Sequence, residues 1–154
     1  MRKIVKNTIL WGSVIICLVV IQSLLTVTSF KLNLAILPVF YLGFKKGDLA
    51  GFSSGIGAGL LEDILSGSII GPSTLSKGMI GLFSHLLYEK FFVWTYLLGI
   101  VSVFLITIVD ELIIYASMTI FSHQPLPFSS FATASLIKAL VNSPFGGIIK
   151  KDEE

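Results

Sequence analysis

Apolar residues in this chain come in long runs, broken by short clusters of charged residues, Gly, Ser and Pro. Runs of about 18 or more mostly apolar residues read as membrane-crossing helices. Six candidate helices are predicted, at roughly 7–30, 32–44, 48–66, 72–89, 91–121 and 128–149. The second, "LNLAILPVFYLGF", is short for a hydrocarbon core of ~30 Å and contains Pro38, so a kinked, tilted or partly re-entrant path is expected. The fifth is longer than one crossing needs, which implies tilt or protrusion. No linker is long enough for a soluble domain, so the expectation is a single all-helical transmembrane domain over residues 1–154.

Composition strengthens this reading. Of 154 residues, 54% are hydrophobic and 13% charged, and the mean hydropathy is +0.90. A soluble domain carries about a quarter charged residues. The opening "MRKIVKNTILWGSVIICLVVIQSLL" is basic and then apolar like a signal peptide, but its apolar run is too long for one and further spans follow. An uncleaved first helix is expected. The single Cys17 cannot form an internal disulfide and reads as a small buried apolar residue.

Lys and Arg set an orientation. With six spans and a cytoplasmic N-terminus, the inside receives Arg2, Lys3, Lys6, Lys45, Lys46, Lys90, Lys150 and Lys151, and the outside only Lys31. Both termini are therefore expected in the cytoplasm. The tail "KKDEE" is a solvated cluster that ends the last helix. The outer loop "SHQPLPF" reads as a stiff turn with Pro125 and Pro127, and His123 as a solvated side chain.

Against this background the ionisable residues inside spans stand out: Glu62, Asp63, Lys77, Asp110, Glu111 and Lys138, with His85 nearer the inner end of its helix. Each costs a few kcal/mol if it faces lipid, so each should face protein, water or an opposite charge. In the third span Gly51, Gly55 and Gly59 recur every four residues, a ridge that lets a neighbouring helix approach closely. Glu62 falls within that stripe and Asp63 at its edge. Thr74, Lys77, Gly81, Ser84 and His85 share a face of the fourth span. Gly99, Thr107, Asp110 and Ser117 share one in the fifth, with Glu111 to one side, and Ser135, Lys138, Asn142 and Gly146 one in the sixth. Such stripes belong to a bundle interior or a partner groove.

Depth along each helix, at ~1.5 Å per residue, suggests two intramembrane pairs. Glu62/Asp63 and Lys77 lie near the outer ends of their spans, whereas Asp110/Glu111 and Lys138 lie deeper. Since each carboxylate then has a cationic neighbour, a structural role is favoured over transport or proton relay. No G-x-S-x-G, H-E-x-x-H or phosphate loop is present, and His85 and His123 are too isolated to suggest a metal. The expectation is a protein without enzymatic activity or cofactor, and nothing points to nucleic acid.

The run "GFSSGIGAGLLEDILSGSIIGPSTLSKGMIGL" resembles the MreD family, rod shape-determining membrane proteins of bacteria. The family's G-x-x-x-D-x-x-S-G-x-x-x-G signature is matched by Gly59, Asp63, Ser66, Gly67 and Gly71. The preceding "LPVFYLGFKKGDLAG" is similar to its short second helix and basic turn. The later "VDELIIY" and "LVNSPFGGIIKK", with Asn142 and Pro144, look like its fifth and last helices. Glu62 and Lys77 depart from the family pattern. The resemblance implies a non-catalytic component of the wall-elongation complex in the cytoplasmic membrane. Its implied partners are a single-span MreC-like protein, the wall polymerase and transpeptidase, and an MreB-type cytoskeleton. Substrate-capture subunits of energy-coupling vitamin transporters share the expected six-helix architecture and are the alternative. Against that alternative, the first span lacks the small-x-x-x-small stripe by which such subunits look to dock, and the outer loops are short.

Overall fold

The computed structural model describes residues 2–24, 33–67, 69–90, 95–121 and 127–149. These form six helices, with no strand among the described residues: α1 (Arg2–Leu24), α2 (Ile36–Lys46), α3 (Asp48–Ser66), α4 (Pro72–Lys90), α5 (Tyr96–Phe121) and α6 (Phe128–Gly146). The outer lysine Lys31, the loop with His123 and Pro125, and the tail from Lys150 onward lie outside the described residues. One helix, α5, is long and apolar enough by itself to cross a membrane, and a shorter apolar stretch runs over Ile9–Leu24 in α1.

Local chemistry explains the boundaries. Pro38 is the third residue of α2, where the missing N–H has no intrahelical partner to lose, so it starts the helix rather than kinking it. At 11 residues α2 is about 16 Å long, roughly half a hydrocarbon core. Gly47 alone separates α2 from α3, with φ 95°, a backbone that reverses the chain in one residue and favours glycine. Gly67 closes α3 in the left-handed conformation at φ 61° and returns its N–H to the Ile64 carbonyl. Pro72 occupies the first position of α4, the favoured place for proline. Within α6, Pro144 cannot donate to the Leu140 carbonyl, and the Ser143 hydroxyl does so instead at 3.1 Å.

The helices pack as a central group of α2, α3 and α4, with α1 against α3 and the α5–α6 pair joined to α4 through α5. The Gly51–Gly55–Gly59 ridge faces α4 of the same chain. A Cβ on Gly55 would strike the Lys77 carbonyl, one on Gly59 the Ser73 carbonyl, and one on Gly51 the Gly81 carbonyl. The ridge predicted to receive a neighbouring helix is therefore filled from within. Gly146 meets the Gly99 backbone in the same way where α6 crosses α5.

Polarity is distributed the opposite way from a water-soluble domain. Lys77 and Asp110 are fully buried, Asp63 is 1% exposed and Glu62 5%, while Leu24, Leu97, Ile120 and Phe128 are each more than 60% exposed. Apolar side chains cover the outside of every helix except α2, whose Phe40 and Phe44 pack inside with Val103 and Ile149.

Candidate functional site

The site begins at the turn between α3 and α4. A helix start leaves four backbone N–H groups without intrahelical partners, and a buried start needs acceptors for them. Asp63, one turn before the end of α3, supplies them. Its carboxylate accepts the Gly71 N–H at 2.8 Å, the Ser73 N–H at 3.1 Å, and from Thr74 both the N–H at 3.1 Å and the hydroxyl at 2.8 Å. The position is also where the positive end of the α4 dipole favours an anion. Ser66 donates to the Asp63 carbonyl at 2.9 Å, and Gly71 holds φ 132° to bring its N–H round. Gly59, Asp63, Ser66, Gly67 and Gly71 thus share one turn. Gly59 admits the α4 backbone, Asp63 caps it, Ser66 and Gly67 end α3, and Gly71 turns the chain.

Of the expected pairing of Glu62 and Asp63 with Lys77, the Glu62 half is formed and the Asp63 half is not. Lys77 reaches Glu62 at 2.7 Å and Asp110 at 3.3 Å. Asp63 points toward the α4 N-terminus, where its oxygens are taken by N–H and O–H donors, while Glu62 on the ridge faces one turn further along α4. The wheel position that places Glu62 within the stripe therefore identifies the lysine's partner, and the edge position of Asp63 identifies the cap.

Nor are there two separate pairs. Asp110 joins the first to the second: it binds Lys77, accepts the Ser76 hydroxyl, and accepts the Asn33 amide at 2.5 Å. The same Asn33 amide donates to Glu111 at 3.0 Å, and Glu111 pairs with Lys138 at 2.8 Å. Asn142 donates to the Asn33 backbone carbonyl at 2.8 Å, which ties α6 to the segment before α2. The depth estimate separated Lys77 from Asp110 because it counted from helix ends. The 26 residues of α5 exceed the 19 of α4, and the contact shows that α5 runs on to Phe121, about three turns past Asp110.

Three members of this site were missed when only ionisable residues were sought. Asn33 bridges the two carboxylates, and Ser76 fixes Asp110 through both its side chain and its backbone carbonyl, the latter at 3.1 Å. Gln22, fully buried in α1, accepts the Leu34 and Ala35 N–H groups at 2.9 and 3.1 Å. An amide in an apolar run has the same desolvation problem as a charge, in weaker form, and that was the available signal.

His85 stands apart, half-buried, with Nδ1 3.4 Å from the Phe44 carbonyl and Nε2 3.7 Å from Glu89. Cys17 is exposed. Among the described residues no group of three His, Cys, Asp or Glu is placed to hold a metal ion. The site engages carboxylates with ammonium, amide and hydroxyl donors and thereby connects α3, α4, α5 and α6 with the segment before α2. No family model, characterised protein or solved structure matches the chain.

Proposed function

We propose that the chain is a multi-pass protein of the bacterial cytoplasmic membrane that works, without catalysis, as a helix-packing component of the wall-elongation complex that maintains rod shape. The observation that carries the membrane part is the inverted distribution of polarity. Soluble monomers rarely expose contiguous apolar patches beyond a few hundred Å². Here apolar side chains cover nearly every helix, while Glu62, Lys77, Asp110 and Glu111 are buried together. In a bilayer both halves of that arrangement are favourable, because intramembrane charges turn inward and pair. The aromatic contacts fit as well. Trp11 stacks on Tyr41 and Tyr115 on Phe131, and Trp and Tyr are the rings enriched at membrane interfaces.

Engagement of the carboxylates supports a structural role over a carrier. Glu62 and Glu111 each hold a lysine, Asp110 holds a lysine, a serine and an amide, and Asp63 holds a helix terminus. The wall-elongation assignment rests on the sequence resemblance, in which Gly59, Asp63, Ser66, Gly67 and Gly71 form a single turn. The partners would be an MreC-like single-span protein and, directly or through it, the wall polymerase, transpeptidase and MreB-type cytoskeleton.

Purification in mild detergent followed by identification of co-purifying proteins tests this reading. Recovery with a single-span MreC-like protein supports it, and recovery with paired ATPases and a vitamin replaces it with the transporter alternative. In cells, Asp63→Asn puts an amide donor against the N–H groups of the α4 start, and widened or rounded cells are expected. Rods of unchanged width, with the variant at normal abundance, would count against the assignment.

A further inference from the structure

An open groove of about 420 Å³ runs between α1 and α3, with the inner half of α2 at its floor. Trp11, Ile15, Leu42, Ala58 and Leu61 line it, and Lys46 stands at one end. We propose that this groove holds one acyl chain of an anionic glycerophospholipid, with the lipid phosphate at Lys46. The proposal rests on the membrane reading above.

Three features favour a lipid chain over a protein helix. The first is length. From Ala50 to Leu61 the groove follows α3 for about 16 Å. Half of a ~30 Å hydrocarbon core is about 15 Å. The groove therefore extends over one leaflet, whereas a crossing helix needs a wall over both. The second is the chemistry of its sides. Ser53 and Ser54 donate to their own helix, to Ala50 O at 3.3 Å and Gly51 O at 2.9 Å, so the hydroxyls on the groove wall have no donor left to offer and the surface behaves as apolar. No partner with polar side chains is called for.

The third is charge. Lys46 is exposed and lies 5.7 Å from the centre of the Trp11 ring, which orients its ammonium over the groove mouth while leaving donors for a phosphate. Lys45 sits 5.7 Å from the Tyr41 ring beside it. In sequence, Arg2, Lys3 and Lys6 precede the groove-lining part of α1, and Asp48 opens α3. A cationic end on an apolar slot one leaflet long is complementary to an anionic lipid in both charge and shape.

Trp11 and Trp94 are the two tryptophans of the chain, so a Trp94→Phe background makes Trp11 the reporter within the groove. The full chain is placed in phosphatidylcholine nanodiscs containing a minor fraction of phosphatidylglycerol, with bromine on the acyl chains of one lipid or the other. Brominated phosphatidylglycerol should quench Trp11 about fivefold more, per mole fraction, than brominated phosphatidylcholine. Lys46→Gln should remove most of that preference. Gly57 has no atom within 4 Å of an added Cβ, so Gly57→Phe fills the groove without disturbing the core and should lower quenching by both lipids.

Equal quenching by the two lipids overturns the proposal, as does a preference that survives Gly57→Phe undiminished, since surface lysines alone would then explain it. Protein that elutes with the discs but is quenched by neither lipid has its groove covered by a second copy or another helix. That outcome overturns the lipid proposal and leaves the membrane reading standing. Protein that fails to enter the discs overturns both.

Discussion

Lys77→Met tests the centre of the buried network. The ammonium is fully buried between Glu62 at 2.7 Å and Asp110 at 3.3 Å. Removing one partner of a buried ion pair costs about 3–5 kcal/mol, because the remaining charge keeps its desolvation penalty without its compensation. The two carboxylates are affected unequally. Asp110 retains the Ser76 hydroxyl and the Asn33 amide, whereas Glu62 loses the closer of the lysine's two contacts. Adding Glu62→Leu should therefore recover most of the loss, with a coupling energy of about 2–3 kcal/mol. Adding Asp63→Leu should not. It strips acceptors from buried amides of the α4 start, at about 1–3 kcal/mol, and adds to the damage. Reversible unfolding in mixed micelles, followed by far-ultraviolet circular dichroism, measures wild type, Lys77→Met, Glu62→Leu and the two double variants on one scale. A single Lys77→Met protein as stable as wild type would refute the reasoning, and so would rescue by Asp63→Leu equal to that by Glu62→Leu.

Gly55→Ala and Gly57→Ala lie two residues apart on α3 and should move stability in opposite directions. The Gly55 Cβ would meet the Lys77 backbone, an overpacking cost of about 1–3 kcal/mol, whereas that of Gly57 enters open space and gains up to about 1 kcal/mol of helix propensity. Equal effects in the same unfolding assay would remove the α3–α4 contact as the purpose of the ridge. Asn33→Asp, nearly isosteric, exchanges the amide between Asp110 and Glu111 for a third carboxylate. Repulsion approaches about 4 kcal/mol for charges about 4 Å apart at an effective dielectric constant near 20, so it should be worse than Asn33→Leu and partly rescued by Glu111→Gln. Equal stability of the two Asn33 variants would place the asparagine outside the network.

The six helices were legible because each is a run of apolar residues between Gly, Pro or Lys, and those breakers act locally. Gly47, Gly67 and Pro72 end or start a helix whatever surrounds them. Faces were legible too, since one turn of helix fixes which of Lys77, Gly81 and Ser84 lie together. Partner choice was harder. Whether Asp63 or Glu62 meets Lys77 depends on the rotation of two helices about a glycine contact, and that rotation is set by packing between segments. The bridge by Asn33 was invisible for a related reason. It comes from the connection before α2, outside any periodic face, and meets Asp110 77 residues further along the chain. Length misled in one place: counting depth from the end of α5 ignored how far that helix projects.

The placement of these polar groups has a consequence for how the helices find their order. On the membrane reading proposed above, lipid tails would solvate leucine as well as another helix does, so apolar contact would give little reason for α4 to prefer α5 over α1. Shape narrows the choice only where glycines meet, as at Gly55 with Lys77 and Gly146 with Gly99. Charge narrows it further. Buried ion pairs are often no more stabilising than the apolar residues that could replace them, but a wrong arrangement leaves a charge uncompensated, which is costly. Glu62 on α3, Lys77 on α4, Asp110 and Glu111 on α5, and Lys138 on α6 each have an opposite charge in one packing order, and Asn33 locks the segment before α2 to α5. α1 carries no charge into this set and is joined by the Gln22 amide. It is also the helix that leaves an open groove beside α3, so the helix that no charge fixes in the bundle is the one that borders that groove.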